Sequence, residues 1–529
     1  MVAELEAGKT VFDYADDLAI QVPTSCHRNG ICHECIVDVE EGMGALSPPT
    51  EAESFLKGTY RLACQARVIS DTERIRFSPL CRTPKILSHR ELRKVEPNPL
   101  VCRQGDSVLY DGEVVDRYRG HIFGIAIDLG TTTVVMDLVD LETGESVHTS
   151  SFENPQRFGG SDIMYRISYD RDFQGELQKA IVNAINHEIV ALSKHLRFER
   201  QEIYELVVAG NSTMRDIFFK LDVQGIGQRP YKSIVELDFA EGNRDHTALT
   251  ERASRLGVRA NSRARVYGMP LIASHVGADA AADLVAADID GQGDPVMLVD
   301  VGTNTEVIIG SGGRLLAASC PAGPAFEGGG IRFGMPGYEG AIESIWMEND
   351  TFAYKTIGNR DPEGICGSGL IDLIAALRRS GQMAPKGMFT EKRYVLEIVP
   401  EFGITFSRED ASNLAQAKAA NYCGQYILMR YFGLTPNDIH RLYLAGGFAN
   451  YVDVSNAIEI GFLAPVPEDR IVKIGNASVQ GAREVMLDRD KRQSIELLVQ
   501  GIEHVELETA PDFFDFFVEG CHFKPMENI

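Results

Sequence analysis

Four cysteines constrain this chain more than any other feature. Cys26, Cys32 and Cys35 share one short run, TSCHRNGICHECIVDVEEG, and Cys64 returns in RLACQARV after a gap of 28 residues. Three thiolates from a loop and one from afar can enclose a two-iron rhomb. The plant-type pattern has four residues between its first two cysteines and two between the next pair, whereas this chain has five and two. The extra residue only enlarges the loop. Gly30 allows the positive φ and close backbone approach that wrapping round sulfide requires. A structural zinc site also uses CxxC, but zinc ribbons need two such knuckles and only one is present. His27 and His33 lie inside the loop; four cysteines already saturate two irons, so both histidines are expected to face solvent. Cys26, Cys32, Cys35 and Cys64 are therefore assigned to one [2Fe–2S] cluster.

The flanking residues supply a fold for that loop. TVFDYADDLAI has helical spacing and CIVDVEEG alternates as a strand, the order of a β-grasp ferredoxin over residues 1–80. That fold opens on a hairpin, and VAELEAGKT reads as its second strand with the first absent, so the start is expected to be truncated or abbreviated. At 529 residues the chain exceeds one hydrophobic core and should divide into roughly two to four domains. Apolar content of 44% and charged content of 24% describe a folded protein and exclude disordered and fibrous classes. A formal charge of −24 argues against nucleic acid and anionic membranes as partners. No stretch reaches the ~18 apolar residues of a membrane span, and MVAELEAGKT is no signal peptide, so the cytoplasm is the expected location. The remaining six cysteines, at 81, 102, 320, 366, 423 and 521, scatter singly.

From residue 121 the texture changes. HIFGIAIDLGTTTVVMDLVDLETGE reads as a buried strand, an Asp-Leu-Gly-Thr-Thr-Thr turn and a second strand. In such a hairpin Gly130 admits a phosphate to the backbone, Thr131, Thr132 and Thr133 donate to it, and Asp128 can hold hydrated Mg²⁺. The pattern recurs about 170 residues later as PVMLVDVGTNTEVIIGSGG, with Asp300, Gly302, Thr303 and Asn304 in matching places. Two copies mark an internal duplication. A third element, HRLYLAGGFANYVD, ends a buried strand on Gly446-Gly447, where a nucleoside can lie against bare backbone. Neither GxGxxG nor a Walker lysine accompanies these turns, so phosphate recognition rests on backbone, threonine and Mg²⁺.

The order of the three motifs resembles the superfamily of acetate and sugar kinases, heat-shock chaperones and actin. It implies a duplicated, ribonuclease H-like ATP clamp over 121–529, with halves of about 121–290 and 291–529. LVVAGNSTMRDIFF and GICGSGLIDLIAALRRSG match that superfamily's connecting helices, with Gly210-Asn211-Ser212 and Gly367-Ser368-Gly369 expected at their crossing. Residues 81–120 are expected to be a Pro-punctuated linker on which the ferredoxin swings.

A ferredoxin set before an actin-like ATPase resembles the reductive activators of corrinoid proteins. SHVGADAAADLVAA, CPAGPAFEGGGIRFGMPG and VELETAPDFFDFFVEGCHFKP extend that resemblance along the chain. The resemblance implies ATP-dependent one-electron reduction of Co(II) to Co(I) on a corrinoid protein of a methyltransferase system, an electron donor protein, and a homodimer. Some relatives are expected to carry an extra middle domain where this chain has only 81–120. Plant-type clusters lie near −400 mV, and each 100 mV uphill costs about 2.3 kcal/mol per electron, which is why ATP would be needed. In this scheme Asp128 and Asp300 organise Mg²⁺ and water. Glu327, on the CPAGPAFEGG loop, can reach the site or be a solvated loop carboxylate. Phe513, Phe514, Phe516 and Phe517 read as core before interface. The competing readings are an acetate- or sugar-type kinase with a fused redox sensor and a chaperone-like ATPase for a metalloprotein.

Overall fold

Thr10 begins the first helix, Val11–Asp17, through a capping box in which the Asp13 amide donates to Thr10 Oγ1 and the Thr10 amide donates to the Asp13 carboxylate. In this computed structural model, which describes residues 5–527 apart from 71–73, 81–92, 350, 391–392 and 448, the buried face of that helix shares a core with Val37, Val39 and Leu62. Ile36–Glu41 is the centre of a three-stranded antiparallel sheet, between Tyr60–Leu62 and Arg76–Pro79. The expected leading strand is reduced, among the described residues, to one bridge between Thr10 and Arg67.

Residues 81–120 are not a plain linker. Val101–Gln104, Ser107–Tyr110 and Glu113–Arg117 form an antiparallel sheet in sequence order. The signal was Asp111-Gly112, both at positive φ, the pair that two-residue hairpins prefer. Tyr110 Oη donates to Glu205 at 3.1 Å, Asn261 Nδ2 to Asp116 at 2.7 Å, and the Asn98 amide to the Leu487 carbonyl at 2.7 Å. These bonds fasten the small sheet to the main body. Of the expected linker, residues 81–92 lie outside the described residues.

The duplication is visible as two six-stranded sheets that share five strands of one design. In the first half Phe123–Leu129, Thr133–Asp140 and Ser146–Glu153 form an antiparallel meander, and Ile203–Ala209 and Arg265–Gly268 extend it in parallel beyond Phe123–Leu129. Val296–Val301, Thr305–Ser311 and Arg314–Cys320 repeat the meander, with Arg441–Ala445 and Ile471–Gly475 in the parallel places. Helices cover these sheets, so the central strands read as continuous apolar runs.

The close helix crossing between the halves differs from expectation. It is made by Ala278–Ala287 and Ala477–Leu487, where a Cβ on Gly481 would lie 1.9 Å from the Ala282 carbonyl oxygen. Gly210 serves another purpose: its φ of +153° sets it against the Leu129 carbonyl. Gly369 lets the helix Gly367–Arg379 lie on the Ile342 carbonyl, within the second half. Near the end of the chain Phe513, Phe516 and Phe517 pack against the core, while Phe514 is 74% exposed.

The ferredoxin is seated on the first half. Phe55 meets Phe158 edge-on at 6.0 Å and stacks on His33 at 4.1 Å, and Tyr169 Oη donates to the Phe55 carbonyl at 2.6 Å.

Candidate active site

The four cysteines converge as two pairs. Cys35 and Cys64 are buried with their sulfurs 3.4 Å apart, and Cys26 and Cys32, half-buried, lie beside one another. A two-iron rhomb takes two thiolates per iron, so this pairing fits the cluster. The loop between them is folded inward by positive φ at His27, Arg28, Gly30 and His33, which turns its amides toward sulfur. Burial opposes the Cys26 thiolate, but the amides of Cys32, Ile31 and Asn29 prevail and bring its pKa down to about 6. Cys64 falls to about 6 through its bond from Cys35, helped against burial by Gln65 and the Gly30 amide. Cys35 moves the other way, raised by that same bond and by burial. Sulfurs ringed by amide donors are prepared to carry negative charge, as iron ligation requires. His27 is exposed as expected. His33 is not: it is half-buried, with Nδ1 2.7 Å from Glu176 Oε2. Only the docked ATPase half could have revealed that partner.

Every residue singled out for nucleotide lines one cleft of about 200 Å³ between the halves: Asp128, Gly130, Thr131, Thr132, Thr133, Asp300, Gly302, Thr303, Asn304, Gly446 and Gly447. The hairpins meet tip to tip. Thr132 Oγ1 and Thr303 Oγ1 lie 3.4 Å apart, and both donate to Glu327 Oε2, at 3.0 and 2.7 Å. Glu327 is therefore in the site and not a solvated loop carboxylate. Gly130 is required because a Cβ would strike the Thr133 carbonyl at 2.5 Å. Gly446, at φ +114°, sits against the Val301 carbonyl, while Gly447 borders open space.

Five further residues complete the chemistry. Asn476 Nδ2 donates to Asp128 Oδ2 at 2.7 Å, and Ser478 Oγ donates to Asp283 Oδ1 at 3.0 Å. Asp279 and Asp283 project from one alanine-rich helix, and Glu306 faces in from the strand opposite Asp300. Burial pushes Asp128 up to about 7 against the bond from Asn476, and repulsion from Asp300 and Asp279 adds to it. Burial likewise raises Asp279 to about 7 and lifts Asp283, Asp300, Glu306 and Glu327. Among the described residues no lysine or arginine lines the cleft. So many crowded carboxylates without a basic side chain suit a divalent cation carrying a phosphate chain. Two acidic residues four apart in ADAAADLVAA were the available signal for Asp279 and Asp283.

Comparison with known proteins follows the same division. Residues 2–68 match the 2Fe-2S iron-sulfur cluster binding domain, 123–292 the RACo middle region, and 294–528 the C-terminal domain of RACo, the ASKHA domain. What the family model terms the middle region is thus the first half of the duplicated core. A corrinoid activation enzyme, RamQ, of Eubacterium limosum is 32% identical over 430 residues, covering 76% of this chain and 70% of that protein. The [Co(II) methylated amine-specific corrinoid protein] reductase of Methanosarcina barkeri is 27% identical, covering 75% and 76%. A solved reductive activator for corrinoid, iron-sulfur protein is 27% identical with a TM-score of 0.72, covering 99% of this chain and 96% of that one. No helix among the described residues is long and apolar enough to cross a membrane.

Proposed function

This chain belongs to the RACo family of reductive activators, and we propose that it carries out the ATP-dependent, one-electron reduction of Co(II) to Co(I) in a corrinoid protein. One observation carries the reading: a single chain seats a four-thiol cluster site against the half of an ATP clamp whose hairpin meets its duplicate across one cleft. Held by Cys26, Cys32, Cys35 and Cys64, a [2Fe–2S] group supplies single electrons near −400 mV. The rest is the work of the chain. Asp128 and Asp300 organise Mg²⁺ and water, with Asn476 fixing the Asp128 carboxylate. Amides and hydroxyls of Gly130–Thr133 and Gly302–Asn304 receive the phosphates, and Gly446-Gly447 gives the nucleoside bare backbone. Glu327, held by hydroxyls from both hairpins and kept basic enough by burial to accept a proton, takes one from the water that attacks the terminal phosphorus. Nucleotide shifts the clamp only through its different affinity for the open and closed states. The partner is a corrinoid protein of a methyltransferase system, the electrons come from a separate donor protein, the chain works as a homodimer, and it does so in the cytoplasm.

The test is anaerobic. Reduced holoprotein is mixed with a Co(II) corrinoid protein, and the Co(I) absorption spectrum is followed with MgATP, with MgADP and without nucleotide. Co(I) should form with MgATP alone. Equal formation without nucleotide would refute the coupling.

A further inference from the structure

The first phosphate hairpin and the cluster loop are held by the same segment. On the hairpin side the Asn154 side chain donates to the Gly130 carbonyl at 2.8 Å, and the fully buried Arg166 donates to the Thr131 carbonyl at 2.6 Å. With these carbonyls turned away, the hairpin's amides are left for phosphate. On the cluster side the helix Glu176–Leu196 holds the loop through three residues. Glu176 binds His33 at 2.7 Å, Lys179 donates to the Ile31 carbonyl and Asn183 to the Cys32 carbonyl, both at 3.3 Å. The two sides are joined: Gln156, which accepts from Asn154 at 3.1 Å, donates to the Leu177 carbonyl at 3.1 Å. Hydrogen bonds run from the hairpin to Leu177, the helix carries the path from there to the residues that hold the cluster loop, and Tyr169 adds a second hold on the ferredoxin from the helix that carries Arg166.

We propose that this segment, residues 154–183, couples ferredoxin docking to nucleotide binding, each strengthening the other. The inference rests on the reading above that the hairpin receives phosphate. Docking braces the segment, the segment fixes the hairpin carbonyls, and ordering already completed is no longer charged against nucleotide affinity. Linkage requires the reverse effect to be equal: bound nucleotide holds the cluster loop against the first half, and its loss loosens that hold.

The test uses the anaerobic holoprotein and a non-hydrolysable ATP analogue with Mg²⁺, comparing wild type with a Glu176→Ala, Asn183→Ala double variant. Neither position lines the cleft. Calorimetric titration should show at least about fivefold weaker analogue binding by the double variant, the lower end of usual coupling. Hydrogen exchange across residues 26–35 should slow on adding analogue to wild type, and that response should vanish in the variant. Unchanged affinity, or an exchange response that survives the substitutions, overturns the coupling. No analogue binding by wild type would instead refute the cleft reading on which it rests. Tyr169→Phe, which removes only the hydroxyl bonded to the Phe55 carbonyl, provides the same comparison if the double variant loses its cluster, and there a smaller loss in the same direction is expected.

Discussion

Gly481 offers the sharpest test of how the two halves are joined. A Cβ there would stand 1.9 Å from the Ala282 oxygen, 2.5 Å from its carbonyl carbon and 2.8 Å from its Cα. Ordinary contact begins at 3.4 Å, so the first of these falls 1.5 Å short, and the obstacle is backbone that cannot rotate aside. Gly481→Ala must therefore part the helices Ala278–Ala287 and Ala477–Leu487. Overpacking of this kind costs about 1–3 kcal/mol, and each kcal/mol lowers Tm by roughly 2–4 °C in domains of this order of size. Function should suffer more than stability. Asn476 and Ser478, at the start of the displaced helix, hold Asp128 and Asp283, so the carboxylates lose their register. A misplacement of about 1 Å can cost roughly a hundredfold in rate. Differential scanning calorimetry and steady-state ATP hydrolysis on the anaerobic holoprotein read both effects. Gly501→Ala is the matched control, since nothing lies within 4 Å of its added carbon. If the two variants behave alike, the crossing does not set the geometry of the cleft.

Other outcomes follow from single side chains. Glu327→Gln retains an acceptor for Thr132 and Thr303 but no base, so hydrolysis should fall about 10²–10⁴-fold with nucleotide binding kept; undiminished turnover would remove Glu327 from the chemistry. Asp300→Asn should stop hydrolysis while the visible cluster spectrum persists, and loss of the spectrum as well would mean that the two sites do not stand independently. Cys64→Ser should abolish that spectrum, because it breaks the buried thiol pair; an unchanged spectrum would exclude Cys64 as a ligand. Lys418, under the rings of Tyr422 and Phe523 and donating to the His522 carbonyl at 2.8 Å, is driven by burial from 10.5 down to about 7. Between those values the unfolded chain keeps a proton that the folded chain has released. Stability due to this residue therefore rises as pH climbs from about 7 toward 10.5. Denaturant unfolding at pH 7 and pH 9 should show wild type gaining about 2 kcal/mol more than Lys418→Met, and equal gains would show that the lysine is not the titrating group.

What could be read from the sequence was whatever lies close together along it. The cysteine loop is local, and its spacing alone brings three ligands to one place. The two Asp-x-Gly-Thr hairpins were legible because the same turn appears twice and each turn is complete in itself. Asp279 and Glu306 reach the cleft, and Asp283 the bonds behind it, only through packing between elements, so nothing at their own positions announced them beyond an acidic pair among alanines. His33 looked like a solvated loop residue because its partner, Glu176, lies 143 positions away. Misplacement of the helix crossing has a different cause. Gly-Ser-Gly invited the reading that small residues mark close helices, whereas the actual contact uses one glycine, Gly481, against ordinary alanine backbone. The sheet at 101–117 was missed because proline and charge nearby outweighed an Asp-Gly turn.

The repeated meander has a consequence for descent. A duplicated fold has two equivalent exits, one after the third strand of each copy, and at birth both copies would have used them alike. They have since diverged. In the first copy the chain leaves Ser146–Glu153 into Asn154 and a short turn that has become a berth for another domain. In the second copy it leaves Arg314–Cys320 into the longer loop that carries Glu327 across to the threonines of both copies. One copy's exit thus serves docking and the other's serves the cleft.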